Sequence, residues 1–172
     1  MDAKVMRALV SSLLAICLLS SAASAIAADS QIERATLTGL TPISVVVEEL
    51  PAIAVRNSMT TAAIQADVER RLRQAGITLT PDADAYLYVH VTIADPGGAQ
   101  PLPYVVDVSL MQEVTLPRGL KTRTPLQVPT WSLNNLGMVS AAGLKLAVGD
   151  HVTQFVDQFI KAYQSVNATS AR

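Results

Sequence analysis

The sequence predicts a single α+β domain, with elements in the order β-α-β-β-β-β-α and two helices packed on one face of a mainly antiparallel sheet. Three observations lead there. The stretches 60–75 and 140–166 repeat apolar residues at three- and four-residue spacing, as amphipathic helices do. Ala85 to Asp95 and Tyr104 to Leu116 alternate apolar and polar residues, as half-buried strands do. Turn residues, Asp95-Pro96-Gly97-Gly98 and Pro117-Arg118-Gly119, separate the strands. The domain is expected over residues 42–166, without internal repeats. A leader at 1–28 and a polar, mobile lead-in at 29–41 precede it, and a tail at 167–172 follows.

The leader has the three parts of a cleavable secretory signal. Lys4 and Arg7 make a basic start, an apolar run reaches Leu19, and Ala25-Ile26-Ala27 supplies a small-residue cleavage site. Two alternatives are a membrane anchor, for which the apolar run is short, and a lipidated Cys17, which the preceding Ile16 disfavours. Export implies a periplasmic or secreted bacterial protein. Cleavage removes Asp2, Lys4 and Arg7, which leaves 11 Lys and Arg against 13 Asp and Glu. That near-balance is no electrostatic footprint for nucleic acid. Cleavage also removes Cys17, the single cysteine, so the mature chain has no disulfide, no cysteine nucleophile and no thiolate metal site.

The elements follow in order. Ile43 to Leu50 is β-branched and ends at Pro51, a first strand, and 51–58 is a connection. Thr60 or Thr61 caps a helix to about Ala75, with Ile64, Val68, Leu72 and Ala75 on one stripe and Gly76 closing it. Asp67 with Arg71 and Glu69 with Arg73 pair along it. Ile77 to Thr80 is a short strand stopped by Pro81. The next two strands form a hairpin. Leu87, Val89, Val91 and Ile93 face one way in the first, and Tyr104, Val106, Val108, Leu110, Val114 and Leu116 do so in the second. Pro125 and Pro129 mark Leu126 to Leu133 as an edge strand, which Asn134-Asn135-Leu136-Gly137 ends. From Ser140 a long helix presents Leu144, Val148, Val152, Phe155, Val156, Phe159, Ile160 and Tyr163 on one face, with Gly143 and Gly149 weakening its start.

Candidate chemistry is sparse. His90 lies on the non-core side of its strand and is expected near Asp107 and Ser109, which suggests a Ser–His–Asp set. A mid-strand serine without a Gly-x-Ser-x-Gly turn argues against it, and a half-exposed sheet histidine is the simpler reading. His151 has Gln154 and Phe155 at the spacing where a metal would need ligands, so it reads as a solvated helix histidine. Glu48 and Glu49 point to opposite faces of a strand, and Arg70, Arg71 and Arg73 are balanced by Asp67 and Glu69. Gly97-Gly98 precedes no helix, unlike a phosphate-binding loop, and Asn167-Ala168-Thr169 matches the glycosylation acceptor pattern that arises often by accident. No metal or cofactor is expected. What remains is a surface: Tyr86, Tyr88, His90, Met111 and Trp131 are expected together on the sheet face away from the helices, an aromatic and Met composition suited to interaction. The alternative is partial cover by loops or the lead-in.

Several strings carry a resemblance. They are Val45-Val46-Val47-Glu48-Glu49-Leu50, Asp67-Val68-Glu69-Arg70-Arg71-Leu72-Arg73, Tyr86-Leu87-Tyr88-Val89, Val114-Thr115-Leu116-Pro117-Arg118, Thr130-Trp131-Ser132 and Phe155-Val156-Asp157-Gln158-Phe159. Over nearly the whole mature domain they resemble an uncharacterised family of small exported bacterial proteins, a resemblance that implies no activity and no catalytic residues. The element order is similar to that of envelope accessory domains with two helices on one sheet, an analogy of fold alone. Two functions are expected: a non-catalytic periplasmic binding or envelope-assembly module, with a protein partner or a second copy on its open sheet face or edge strand, or a small hydrolase or lyase with His90 as base. A small ligand between helices and sheet is a third.

Overall fold

The computed structural model describes residues 29–95, 97, 101–115 and 125–167. The expected leader with its cleavage site and Cys17, the expected turn at Pro117-Arg118-Gly119, Gly98, Leu116 and residues 168–172 lie outside the described residues. Within them the chain forms an α+β domain of four helices, α1 (Gln31–Ala35), α2 (Ala52–Arg56), α3 (Thr61–Gln74) and α4 (Leu144–Asn167), and four strands, β1 (Ser44–Val47), β2 (Tyr86–Ile93), β3 (Leu102–Val114) and β4 (Leu126–Val139). The sheet runs β1-β2-β3-β4 and is mixed. β1 and β2 are parallel, joined by the crossover that contains α2 and α3, and the other two pairings are antiparallel. Helices α3 and α4 pack on one face of this sheet.

The helices form where capping and periodicity coincide. Thr60 holds a β-region backbone and its side chain accepts the amide of Ala63, and Gly76 ends the helix with φ +80°. Val68 and Leu72 of α3 have no exposed surface, and neither do Leu144, Val148, Val156 and Phe159 of α4. They meet the inward residues of β2 and β3, among them Leu87, Val89, Val106, Val108 and Leu110. Burying each such side chain contributes roughly 1.5–3 kcal/mol, so this seam supplies most of the stability of a domain without disulfides. Arg71 joins the two helices, with its guanidinium 2.9 Å from Asp67 and 3.2 Å from Asp157 of α4.

Four expectations are corrected. Residues 29–41 are not a mobile lead-in: Ser30 and Glu33 form a reciprocal capping box that starts α1, and Leu37 and Leu40 reach the core. The connection at 51–58 contains α2, which buries Ile53 and Ala54. The strand expected at Ile77 to Thr80 is a single parallel bridge from Leu79 to Ile43, because Gly76 and Pro81 leave too few residues to propagate a ladder. β4 does not end at Asn134. It continues until Val139 pairs with Leu102, because β3 starts early enough to offer partners. Gly137 is therefore a strand residue rather than a turn. A Cβ there would fall 2.4 Å from the Tyr104 ring, so the glycine makes room for it.

Candidate functional site

Register places the candidate residues. In β2, Leu87, Val89, Val91 and Ile93 are buried against the helices, which turns Tyr86, Tyr88, His90 and Thr92 outward. Tyr86 pairs with Met111, Tyr88 with Ser109, His90 with Asp107 and Thr92 with Val105. One strand further, Val105 pairs with Leu136 and Pro103 with Met138. The helix-free face is thus continuous from Val46 and Glu48 to Met138. It has an aromatic and polar part on β1 and β2, a polar middle of Asp107, Ser109, Ser132 and Asn134, and an apolar part of Pro103, Val105, Leu136 and Met138 at one end of β3 and β4.

In the aromatic part the rings of Tyr86 and Tyr88 meet edge to face, 6.5 Å between centroids, and the His90 ring lies 6.2 Å from that of Tyr88. The Tyr88 hydroxyl donates to Glu48, whose carboxylate also lies 3.4 Å from His90 Nε2. That hydrogen bond, aided by burial and by the negative charge of Glu48, pushes the Tyr88 phenol up to about 12. In the apolar part, Leu136 and Met138 are 68 % and 66 % exposed, two large apolar side chains side by side on the surface. The outward positions of the four strands, with Glu48 directly after β1, carry three acids, Glu48, Asp107 and Glu113, and neither Lys nor Arg.

Of the five residues singled out from the sequence, Tyr86, Tyr88, His90 and Met111 share this face, and Trp131 does not. Trp131 has no exposed surface. It packs on Phe159 of α4 with ring centroids 5.2 Å apart, and its indole N–H donates to Asp29, 3.1 Å away. A β-bulge explains the change of side. Leu110 pairs with Trp131 and Met111 with Pro129, so Thr130 is an extra residue and the alternation of β4 shifts by one. Leu136 and Met138 were not anticipated, because the Asn134 to Gly137 run reads as a turn.

The side chains do not build a nucleophile–base pair. The Ser109 hydroxyl donates to Asp107 at 2.6 Å, and His90 Nε2 faces Thr92 and Glu48. His151 is not simply solvated. Its Nδ1 lies 2.9 Å from the Ala147 carbonyl and 3.1 Å from the Tyr104 hydroxyl, and Asn135 donates to Nε2 at 2.7 Å. Through these contacts the ring ties α4 to β3 and β4. Burial, with Asp150 nearby, raises the Tyr104 phenol above its ordinary value. Among the described residues no cluster of three His, Cys, Asp or Glu is arranged to hold a metal, and no helix is long and apolar enough to cross a membrane.

Compared with models of known families the chain matches none, and no curated protein shows significant similarity to it.

Proposed function

We propose that this is an exported, non-catalytic binding module of the bacterial envelope that docks a protein partner, with a basic and partly apolar surface, on its open sheet face. The observation that carries the reading is the exposed Leu136 and Met138 beside Val105, continuous with the Tyr86–Tyr88–His90 row. Covering the two-thirds of Leu136 and Met138 that stay exposed would contribute about 1–2 kcal/mol each. Glu48 and Asp107 on a face free of Lys and Arg favour a cationic partner, and the tyrosine rings add cation–π acceptors. A symmetric pairing of two such faces would bring two acidic surfaces together with no Lys or Arg to balance them, so a different chain fits better than a second copy. The basic, apolar and small-residue order of residues 1–28 supports export.

Photo-crosslinking in the producing cell tests the proposal. A benzoylphenylalanine at position 136 or 88 should give the same single protein adduct. One at Leu146, 70 % exposed on α4, should give none. Equal labelling from both sides of the domain, or no adduct from the sheet face, would reject it.

A further inference from the structure

We propose a second site, independent of the open sheet face, at the seam of α3 and α4: a pocket for a free medium-chain carboxylate of about eight carbons. A cavity of about 240 Å³ opens there. Met59 and Val152, both nearly fully buried, and the half-buried Ile64 form its apolar lining. An apolar cavity of about 150 Å³ already holds benzene, so this volume accommodates an alkyl chain of about eight carbons.

Gly149 supports the reading from the backbone. A glycine inside a helix costs about 1 kcal/mol relative to alanine, so a residue of this kind calls for a reason. Packing supplies none, since a Cβ at Gly149 would meet no atom within 4 Å. The position lines the cavity, and a missing side chain there keeps the wall open.

Charge selects the ligand's head group. Two charged residues, Asp67 and Lys145, border the cavity. Burial alone would raise the Asp67 carboxyl, but hydrogen bonds from Arg71 and Arg70 outweigh it and hold the group below its ordinary value, so Asp67 is already neutralised. Among the described residues no carboxylate pairs with Lys145. An apolar pocket bordered by one uncompensated cation suits an amphipathic anion, with its chain against Met59 and Val152 and its carboxylate at the Lys145 ammonium.

The test uses sodium octanoate and, as its uncharged counterpart, 1-octanol, titrated into the full mature chain and followed by methyl NMR. Octanoate should bind saturably at one site and shift the methyl signals of Met59 and Ile64 while leaving Leu136 and Met138 unmoved. Lys145→Met should weaken octanoate about three- to fivefold, as loss of an exposed ion pair does, without changing octanol. Gly149→Leu, which fills the space, should abolish binding of both. Gly149→Ala, which keeps the helix intact, should weaken both if the larger substitution does not fold. Shifts confined to Leu136 and Met138, equal weakening of both probes by Lys145→Met, or no saturable binding would overturn the proposal. None of these outcomes bears on the crosslinking result for the sheet face.

Discussion

Replacing Trp131 with phenylalanine probes the tie between the start of the domain and its core. Two losses add. The indole N–H bond to Asp29 disappears, and hydrogen bonds to charged acceptors contribute roughly 1.5–3 kcal/mol. Asp29 is 15 % exposed and keeps its bond to Arg34, so the lower end applies. The smaller ring also leaves a void against Phe159, of order 1–2 kcal/mol when a complete Trp-to-Ala truncation costs about 3–5. Trp131→Phe should therefore destabilise the domain by about 2.5–3.5 kcal/mol. Urea unfolding followed by circular dichroism measures it, since the variant has lost its only tryptophan. Asp29→Ala and the double variant complete a cycle. The coupling should be about 1–2 kcal/mol, because either single change removes the same bond. A coupling within about 0.3 kcal/mol of zero would refute the tie, whatever the single variants cost.

Other expectations concern the face, the strand and the helix end. The Tyr88 phenol is raised from 10.0 to about 12, so its bond to Glu48 stabilises the fold fully below pH 10 and loses that contribution as pH rises toward 12. Difference absorbance between the native chain and Tyr88→Phe should show the late tyrosinate step, and Glu48→Gln should move that step back toward pH 10. Gly137→Ala forces a methyl into the Tyr104 ring and should cost about 1–3 kcal/mol in thermal or urea unfolding. Unchanged stability would mean the ring moves freely. Asn167→Ala should cost about 1–2 kcal/mol and speed amide exchange at Gly39, which donates to the Asn167 side chain. Iodide should scarcely quench Trp131 in the folded protein, whereas a ring on the open face would be quenched strongly.

What could be read in advance followed from periodicity. Val68, Leu72 and the row from Leu144 to Phe159 lie buried because a helical stripe has one way to face a sheet, and Tyr86, Tyr88 and His90 lie outward because Leu87 and Val89 lie inward. The errors came where one residue changes the phase. Thr130 inserts into β4 and carries Trp131 to the core, and no composition rule marks a bulge just after Pro125 and Pro129. Leu136 and Met138 went unseen for a different reason: Asn-Asn-Leu-Gly is local turn chemistry, and the long ladder to β3 overrides it. α1 was legible after all, since Ser30 and Glu33 stand at capping-box spacing before a polar helix too short to show a stripe. The Glu48 contact with Tyr88 depends on the parallel pairing of β1 with β2, which nothing local encodes.

The side chain of Asn167, at the last turn of α4, accepts from the amide of Gly39 and donates to the carbonyls of Leu37 and Tyr163. Gly39 and Asn167 lie 128 residues apart in sequence, so Leu37 and its neighbours gain these partners only when the far ends of the described domain meet. Closing so long a loop is entropically costly, and once closed the latch ties both ends of the described domain in a single contact. A disturbance at either end is therefore felt at the other: fraying the last turn of α4 releases the segment after α1, and loosening that segment frees the helix end.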